Sequence, residues 1–253
     1  MAPLDLLLID IGNTRLKWTT ADSDGPIQLA GEIATKKATT AWITALSRKF
    51  FRQHLVLSSV VPKLAPAFRR AFAERIVEVN AFLPELGFRF NYPKPAEIGT
   101  DRLAAAVAVH AENHFPAIIV ACGTATAVTV LDAKGRFSGG VIAPGPQAQL
   151  AALLGATAQL PATALHLPRT AMAKSTKDAI RAGVILTFRG GVNEIVRQLL
   201  KTLPPRPKPK VILTGGNAEY LASSLDFSHT FRPLLVFEGL RMIGDRIWSQ
   251  RIE

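Results

Sequence analysis

One arrangement of residues occurs twice in this chain and limits the folds open to it. Near the start, LDLLLIDIGNTRLKW carries an apolar run over residues 4–11 into a Gly12-Asn13-Thr14 turn, and an alternating stretch follows over 15–21. At mid-chain, the apolar run 117–121 meets Gly123-Thr124, and strands over 126–131 and 136–142 flank the turn Asp132-Ala133-Lys134-Gly135. A continuous apolar run of this length reads as a strand buried on both faces. Period-two alternation beyond a glycine turn reads as its hairpin partner. Two halves that open alike imply two related lobes, each a mixed β-sheet flanked by helices, rather than a solenoid of short repeats. A cleft between lobes is a favoured place for a ligand.

The rest of the chain fits that plan. In the first half, the turn 22–25 returns the chain as a strand over 26–33. A helix over 40–52 has Trp42, Ile43, Leu46 and Phe50 on one face, and a buried strand over 55–61 stops at Pro62. The loop NYPKPAEIGTDR leads into an Ala-rich helix over 102–114, which Pro116 ends. The lobe boundary is placed there, giving an N-terminal lobe 1–115 and a C-terminal lobe 116–253. The second half continues with helices over 147–154 and 176–200 and the stiff connector PPRPKPK. A strand over 210–213 then ends in Thr214-Gly215-Gly216, and a helix over 238–250 closes the chain.

Composition narrows the partners. Hydrophobic residues make up 48% of the 253 and charged residues 19%, enough apolar side chain for a sizeable core. The single cysteine, Cys122, excludes an internal disulfide and fits a reducing cytoplasm. Beside Gly123 it reads as a buried small hydrophobe in preference to a reactive thiol. No stretch approaches the roughly 20 apolar residues of a membrane span, so a soluble cytoplasmic protein without a membrane partner is expected. The net charge of +11 suits nucleic acid or a polyanionic ligand. The basic residues are scattered, however, as in Lys36-Lys37, Arg69-Arg70 and the RPKPK stretch, and no DNA-reading module is present, which argues against nucleic acid. The five histidines are dispersed without metal-ligand spacing.

Five short stretches could carry chemistry, and each also has a structural reading. In D-x-G-N-T, Gly12 permits a sharp turn whose amides face an anion, Asn13 and Thr14 offer donors, and Lys17 adds charge. Asp10 could hold Mg²⁺ beside phosphate oxygens. A polar-capped hairpin is the alternative. A-C-G-T-A-T, from Ala121 to Thr126, poses the same choice. T-G-G-N-A, from Thr214 to Ala218, is either a loop that lets a ribose approach the backbone or a tight connection. G-G-V-I-A-P-G, from Gly139 to Gly145, is a similar loop or a turn into the next helix. In G-T-D-R, Asp101 is either a helix cap or a general base beside Arg102, which would clamp a substrate carboxylate.

Glycine turns after apolar strands in two matching halves resemble ATPases of the actin-like, ribonuclease H-like fold. The ordered set is more specific. DIGNT, the Y-x-x-P-x-x-x-G-x-D-R stretch from Tyr92 to Arg102, GTAT, GGVIAPG, the Ser175-Thr176 helix start and TGGNA are similar, in order, to the type III pantothenate kinases. The resemblance covers nearly the whole chain. It implies an α/β protein of two related lobes with an interlobe cleft, which phosphorylates pantothenate to 4'-phosphopantothenate with ATP in the first step of coenzyme A synthesis. By that resemblance, Asp10, Ile11, Gly12, Asn13, Thr14, Arg15, Leu16 and Lys17 would cradle the ATP phosphates and Thr124 would contact them from the other lobe. Thr214, Gly215, Gly216 and Asn217 would lie at the adenosine end. Tyr92, Gly99, Thr100, Asp101, Arg102 and Thr176 would hold pantothenate, with Asp101 as proton acceptor. Mg²⁺ at Asp10, a K⁺ or NH₄⁺ ion and a homodimer are implied in the same way.

The chain departs from the family at the second turn, which usually reads D-x-G-T-A-x-T-x-D. Here the acids are Ala121 and Thr129, and the threonine between them is Ala127. The first acid is associated with the monovalent cation, so its absence at Ala121 removes that ion's anionic ligand. Asp132 is no substitute, since it belongs to the next hairpin turn. The expectation is an active kinase with altered cation dependence. The alternatives are a kinase of another hydroxy acid or a phosphatase on the same fold, and a non-enzymatic regulator that binds nucleic acid or a partner through its basic surface.

Overall fold

The computed structural model describes residues 5–21, 25–221 and 224–249. Leu4, the turn residues Asp22 to Asp24 and Gln250 lie outside the described residues. The chain divides into two compact units, one running to His114 and resuming at Leu234, the other spanning Phe115–Pro233.

In the first unit, β1 (Leu6–Ile11), β2 (Arg15–Ala21) and β3 (Gly31–Ala34) form an antiparallel meander. Then come α1 (Thr40–Lys49), β4 (His54–Ser59), α2 (Ala65–Phe72), β5 (Ile76–Glu78) and α3 (Thr100–His110). The sheet order is β3-β2-β1-β4-β5, with β4 parallel to β1 and β5 parallel to β4. The second unit repeats it. β6 (Ala117–Cys122), β7 (Ala125–Leu131) and β8 (Phe137–Pro144) form the meander, followed by α4 (Pro146–Gly155), α5 (Thr176–Thr202), β9 (Lys210–Thr214) and β10 (Thr230–Phe231). The order β10-β9-β6-β7-β8 is the same topology. The faint similarity of the two sequence halves is thus a repeat of strand connections.

The continuous apolar run of β1 follows from its central place. Leu7, Ile9 and Ile11 pack with Leu55, Leu57, Ile43, Phe68 and Phe72 on one face. Leu6, on the other face, meets the last helix, α6 (Leu235–Ser249). Burying such side chains contributes roughly 1.5–3 kcal/mol each, so neither face tolerates a polar residue until Asp10, at the strand's end.

Four sequence expectations change. The closing helix, placed with the C-terminal lobe, belongs to the first unit: α6 packs on α3, β1 and β4. Gly239 is what lets it, because a Cβ there would sit 1.8 Å from the Ala104 carbonyl oxygen. The Ala-rich face of α3 is the other half of that close approach. The strand expected over 26–33 is confined to β3, since Pro26 lacks an amide donor and the Thr19 hydroxyl donates to the Gln28 carbonyl in place of a ladder bond. The Ala-rich helix runs Thr100–His110, so it starts earlier and ends earlier than read. Gly139 to Pro144 is strand β8, and Gly145 precedes α4, so that stretch is no open loop. The sequence reading also missed α2, β5 and β10, although Pro66 in the first turn and the Phe68–Phe72 spacing mark α2.

Candidate active site

In the first unit, the candidate residues gather at the C-terminal ends of the parallel strands β1 and β4, where ligands of open α/β sheets bind. Asp10 stands directly opposite Lys17 in the β1–β2 ladder and beside Ser58 in the β1–β4 ladder, so all three side chains share one face of the sheet. Ser58 Oγ donates to Asp10 Oδ1 at 3.0 Å. The turn beyond is a hairpin closed by the Gly12 amide on the Arg15 carbonyl, 2.9 Å. Thr35 holds it from behind, its hydroxyl 2.7 Å from the Gly12 carbonyl and its amide 3.0 Å from the Thr14 carbonyl. The loop is a hairpin with Asn13 and Thr14 exposed at its tip. Leu16 is fully buried in the core, so its place in the stretch is structural; Arg15 pairs with Glu32 at 2.6 Å on the surface.

The N-terminus of α3 arrives at the same place. Gly99 precedes its first turn, which contains Thr100, Asp101 and Arg102. Thr100 Oγ1 accepts from the Ser59 amide at 2.8 Å and lies 3.1 Å from Ser58 Oγ. Asp101 does not occupy the capping position; Gly99 does, and Asp101 Oδ1 accepts from the Arg102 amide at 2.9 Å. A helix start is partly positive and favours anions. Burial pushes the Asp101 carboxyl above the usual carboxylate range, offset in part by the amide and guanidinium of Arg102. Burial lowers the Arg102 guanidinium, while Asp101 and Tyr92 oppose that change. Asp10 is raised furthest, to about 7, by burial first and by Asp101 second, with Ser58 and Lys17 pulling the other way. As a whole residue Asp10 is only partly covered, but its carboxyl is buried, so desolvation dominates. Asp10, Lys17, Tyr92, Gly99, Thr100, Asp101 and Arg102 thus form one constellation. Ser58, which joins it, was missed because a serine near the end of an apolar strand carries no motif.

The second unit holds the other candidates. The Gly123-Thr124 turn is closed by the Gly123 amide on the Ala125 carbonyl at 3.0 Å, and the Gly145 amide donates to the Thr124 carbonyl at 3.0 Å. Asn217 Nδ2 donates to the Gly123 carbonyl at 2.8 Å and its amide to the Cys122 carbonyl at 3.0 Å, so this side chain braces the turn. Gly215 is required by both its φ of +91° and a Cβ position 2.4 Å from the Cys122 carbonyl oxygen. Gly216 is open, with nothing within 4 Å of a Cβ there. Thr214 is buried at the end of β9. Thr176 begins α5, behind a Ser175 cap whose hydroxyl lies 2.7 Å from Asp178 Oδ2 and accepts from the Asp178 amide. Burial pushes the Cys122 thiol up to about 12, which fits a packing role.

The three family departures share one face of this second sheet. Ala121 and Ala127 are directly opposed in the β6–β7 ladder, Thr129 lies two residues along β7, and Thr214 stands beside Ala121 in β9. This face presents the methyl groups of Ala121 and Ala127 and the buried hydroxyls of Thr129 and Thr214, with no carboxylate among them. Asp132 accepts from the Lys134 and Arg136 amides, from Arg136 Nε at 2.8 Å and from Ser138 at 3.0 Å, so it is committed to its own hairpin. A monovalent cation takes oxygen ligands, and this face offers hydroxyls but no carboxylate to balance its charge. Asp10 does fit a divalent ion. Its buried carboxylate, with Asp101 close by, raises a charge conflict that a cation would relieve. Mg²⁺ commonly takes one or two carboxylates together with substrate phosphates. Among the described residues, no group of three or more His, Cys, Asp or Glu side chains could hold a metal without a ligand's help.

Comparison with known proteins adds to this geometry. Residues 6–198 match the model of the type III pantothenate kinases. The chain belongs to the type III pantothenate kinase family. A type III pantothenate kinase of Methylacidiphilum infernorum is 32% identical over 240 residues, covering 95% of this chain and 88% of its own. Two solved structures share the fold. A conserved Baf family protein of Campylobacter jejuni, described as a transcriptional activator, superposes with a TM-score of 0.62 at 21% identity, over 96% of this chain and all of its own. MreB 5 of Spiroplasma citri, bound to AMPPNP, gives 0.51 at 12% identity, with 98% of each chain covered. At these identities the likeness speaks of the actin-like fold alone. The family match therefore falls in this chain on a pair of repeated sheets of the actin-like fold. Among the described residues, no helix is long and apolar enough to cross a membrane.

Proposed function

We propose that the chain transfers the γ-phosphoryl group of ATP to the hydroxyl of pantothenate, giving 4'-phosphopantothenate in the first step of coenzyme A biosynthesis. The observation that carries this reading is the gathering of Asp10, Lys17, Ser58 and the Thr100-Asp101-Arg102 helix start at one strand end. Phosphoryl transfer asks a protein for positioning and charge neutralisation. Lys17 and the Gly12–Thr14 turn supply those for the phosphates. Asp101 accepts the proton of the attacking hydroxyl, and its burial raises its basicity toward working pH. Arg102 takes the pantothenate carboxylate, with Tyr92, Gly99 and Thr100 completing that site. Asp10 holds Mg²⁺, which when bound neutralises charge on the phosphate oxygens. The family resemblance also supports a homodimer acting in the cytoplasm.

Turnover is expected without K⁺ or NH₄⁺, because Ala121 and Ala127 face each other where the family carries polar ligands. The assay supplies ATP, Mg²⁺ and pantothenate in sodium-buffered and potassium-buffered solution. Equal kcat in both supports the reading. An absolute need for K⁺ would remove the cation part alone, and silence in both would remove the kinase.

A further inference from the structure

Ser58, the last residue but one of β4, has no solvent exposure. Its hydroxyl lies 3.0 Å from Asp10 Oδ1 and 3.1 Å from Thr100 Oγ1, and Thr100 Oγ1 accepts from the Ser59 amide at 2.8 Å. Each hydroxyl has one proton to give. A metal-holding carboxylate is ionised, so Asp10 takes the Ser58 proton. The Thr100 hydroxyl must then donate to Ser58. The result is a one-way chain from the Ser59 amide through Thr100 and Ser58 to Asp10. Such chains polarise in one direction and strengthen each member.

Neighbouring Ser59 shows what an ordinary strand-end serine does: its hydroxyl donates to the local Val61 carbonyl. Ser58 instead reaches two other elements. Among the described residues it is the one side-chain donor to the Asp10 carboxylate, and it fixes one oxygen while leaving the other for a ligand. Thr100, at the far end, is the residue before Asp101. We propose that Ser58 is a positioning residue for phosphoryl transfer, its single hydroxyl holding the metal-binding carboxylate of Asp10 in register with the helix start that presents Asp101. This rests on the kinase reading above.

The test titrates the full chain with a non-hydrolysable ATP analogue in a calorimeter, with Mg²⁺ and with EDTA. In the unaltered protein Mg²⁺ tightens binding. Ser58→Ala is expected to lose roughly 10–100-fold of that Mg²⁺-dependent affinity, the usual effect of removing a group that orients a metal ligand. Affinity in EDTA stays unchanged. Turnover falls in the same range, while KM for pantothenate stays within about threefold. Ser58→Thr keeps the hydroxyl and restores the Mg²⁺ response. Thr100→Val removes the upstream donor and loses a smaller part. An unchanged Mg²⁺ response in Ser58→Ala overturns the proposal, as does a loss of equal size in EDTA, or an unaltered protein indifferent to Mg²⁺. Should Ser58→Ala not fold, an unchanged response in Thr100→Val overturns it. Analogue binding needs no acceptor, so a wrong acceptor would leave this readout intact.

Discussion

Asp101→Asn is expected to lower kcat by roughly 10²–10⁴-fold, the range for losing a general base, with nucleotide affinity nearly unchanged. The substitution is close to isosteric. The amide oxygen of asparagine can still accept from the Arg102 amide, as Asp101 Oδ1 does at 2.9 Å. Gly99 remains in the capping position, so the first turn of α3 keeps its support. What disappears is the ability to accept a proton. The pH profile separates this from a structural effect. Burial raises the Asp101 carboxyl above the usual carboxylate range, so the acid limb of kcat/KM in the unaltered enzyme should lie above that of an ordinary aspartate. Asp101→Asn should lack that limb. An unchanged kcat would confine Asp101 to ordering the helix start.

The ligand-free protein should lose stability as pH rises through the window between about 4 and 7, and Asp10→Asn should abolish much of that loss. The sign follows from Asp10. Its folded pKa of about 7 exceeds the ordinary 3.8, so the folded chain holds more protons than the unfolded chain between these values. Raising the pH then favours unfolding. At one unit for about 1.4 kcal/mol, less a discount for relaxation around the charge, the variant should be more stable by about 2–4 kcal/mol near pH 8. Its apparent Tm should rise by roughly 5–10 °C there and match the unaltered protein near the acid end. Mg²⁺ should stabilise the unaltered protein and leave Asp10→Asn indifferent. The same variant should be a poor kinase. A residue that costs stability when empty and serves when occupied is expected at a metal and phosphate site. Thermal melts across pH, with and without Mg²⁺, check this; a Tm difference independent of pH would contradict it.

Much of the fold was legible because its central strands are buried on both faces. Residues such as Leu7, Ile9, Ile118 and Val120 leave an uninterrupted apolar signal that stops only where the chain leaves the sheet. The glycine turns were legible for the complementary reason: Gly215 has a backbone that other residues avoid and a neighbour that admits no Cβ. The home of α6 was not legible. An amphipathic pattern reveals that a helix has an apolar face, but not which sheet receives it. Gly239 against Ala104, and Gly244 against Leu6 and Val56, decide that only in three dimensions. The candidate site divides in the same way. Asp10 and Lys17 could be paired from their places around a hairpin. Ser58, 48 residues away, could not, because a parallel crossover brings it alongside. The bracing of the Gly123 turn by the Asn217 amide, 94 residues away, was hidden for the same reason. The losses at Ala121, Ala127 and Thr129 looked separate along the chain and turn out to share one face.

Phosphorus NMR of the reaction products tests the account most directly. With ATP, Mg²⁺, pantothenate and the unaltered protein, the predicted result is a phosphomonoester on pantothenate that grows as ADP grows, and that other hydroxy acids do not yield at a comparable rate. ADP and free phosphate formed regardless of pantothenate, or a different hydroxy acid as the preferred acceptor, would contradict it.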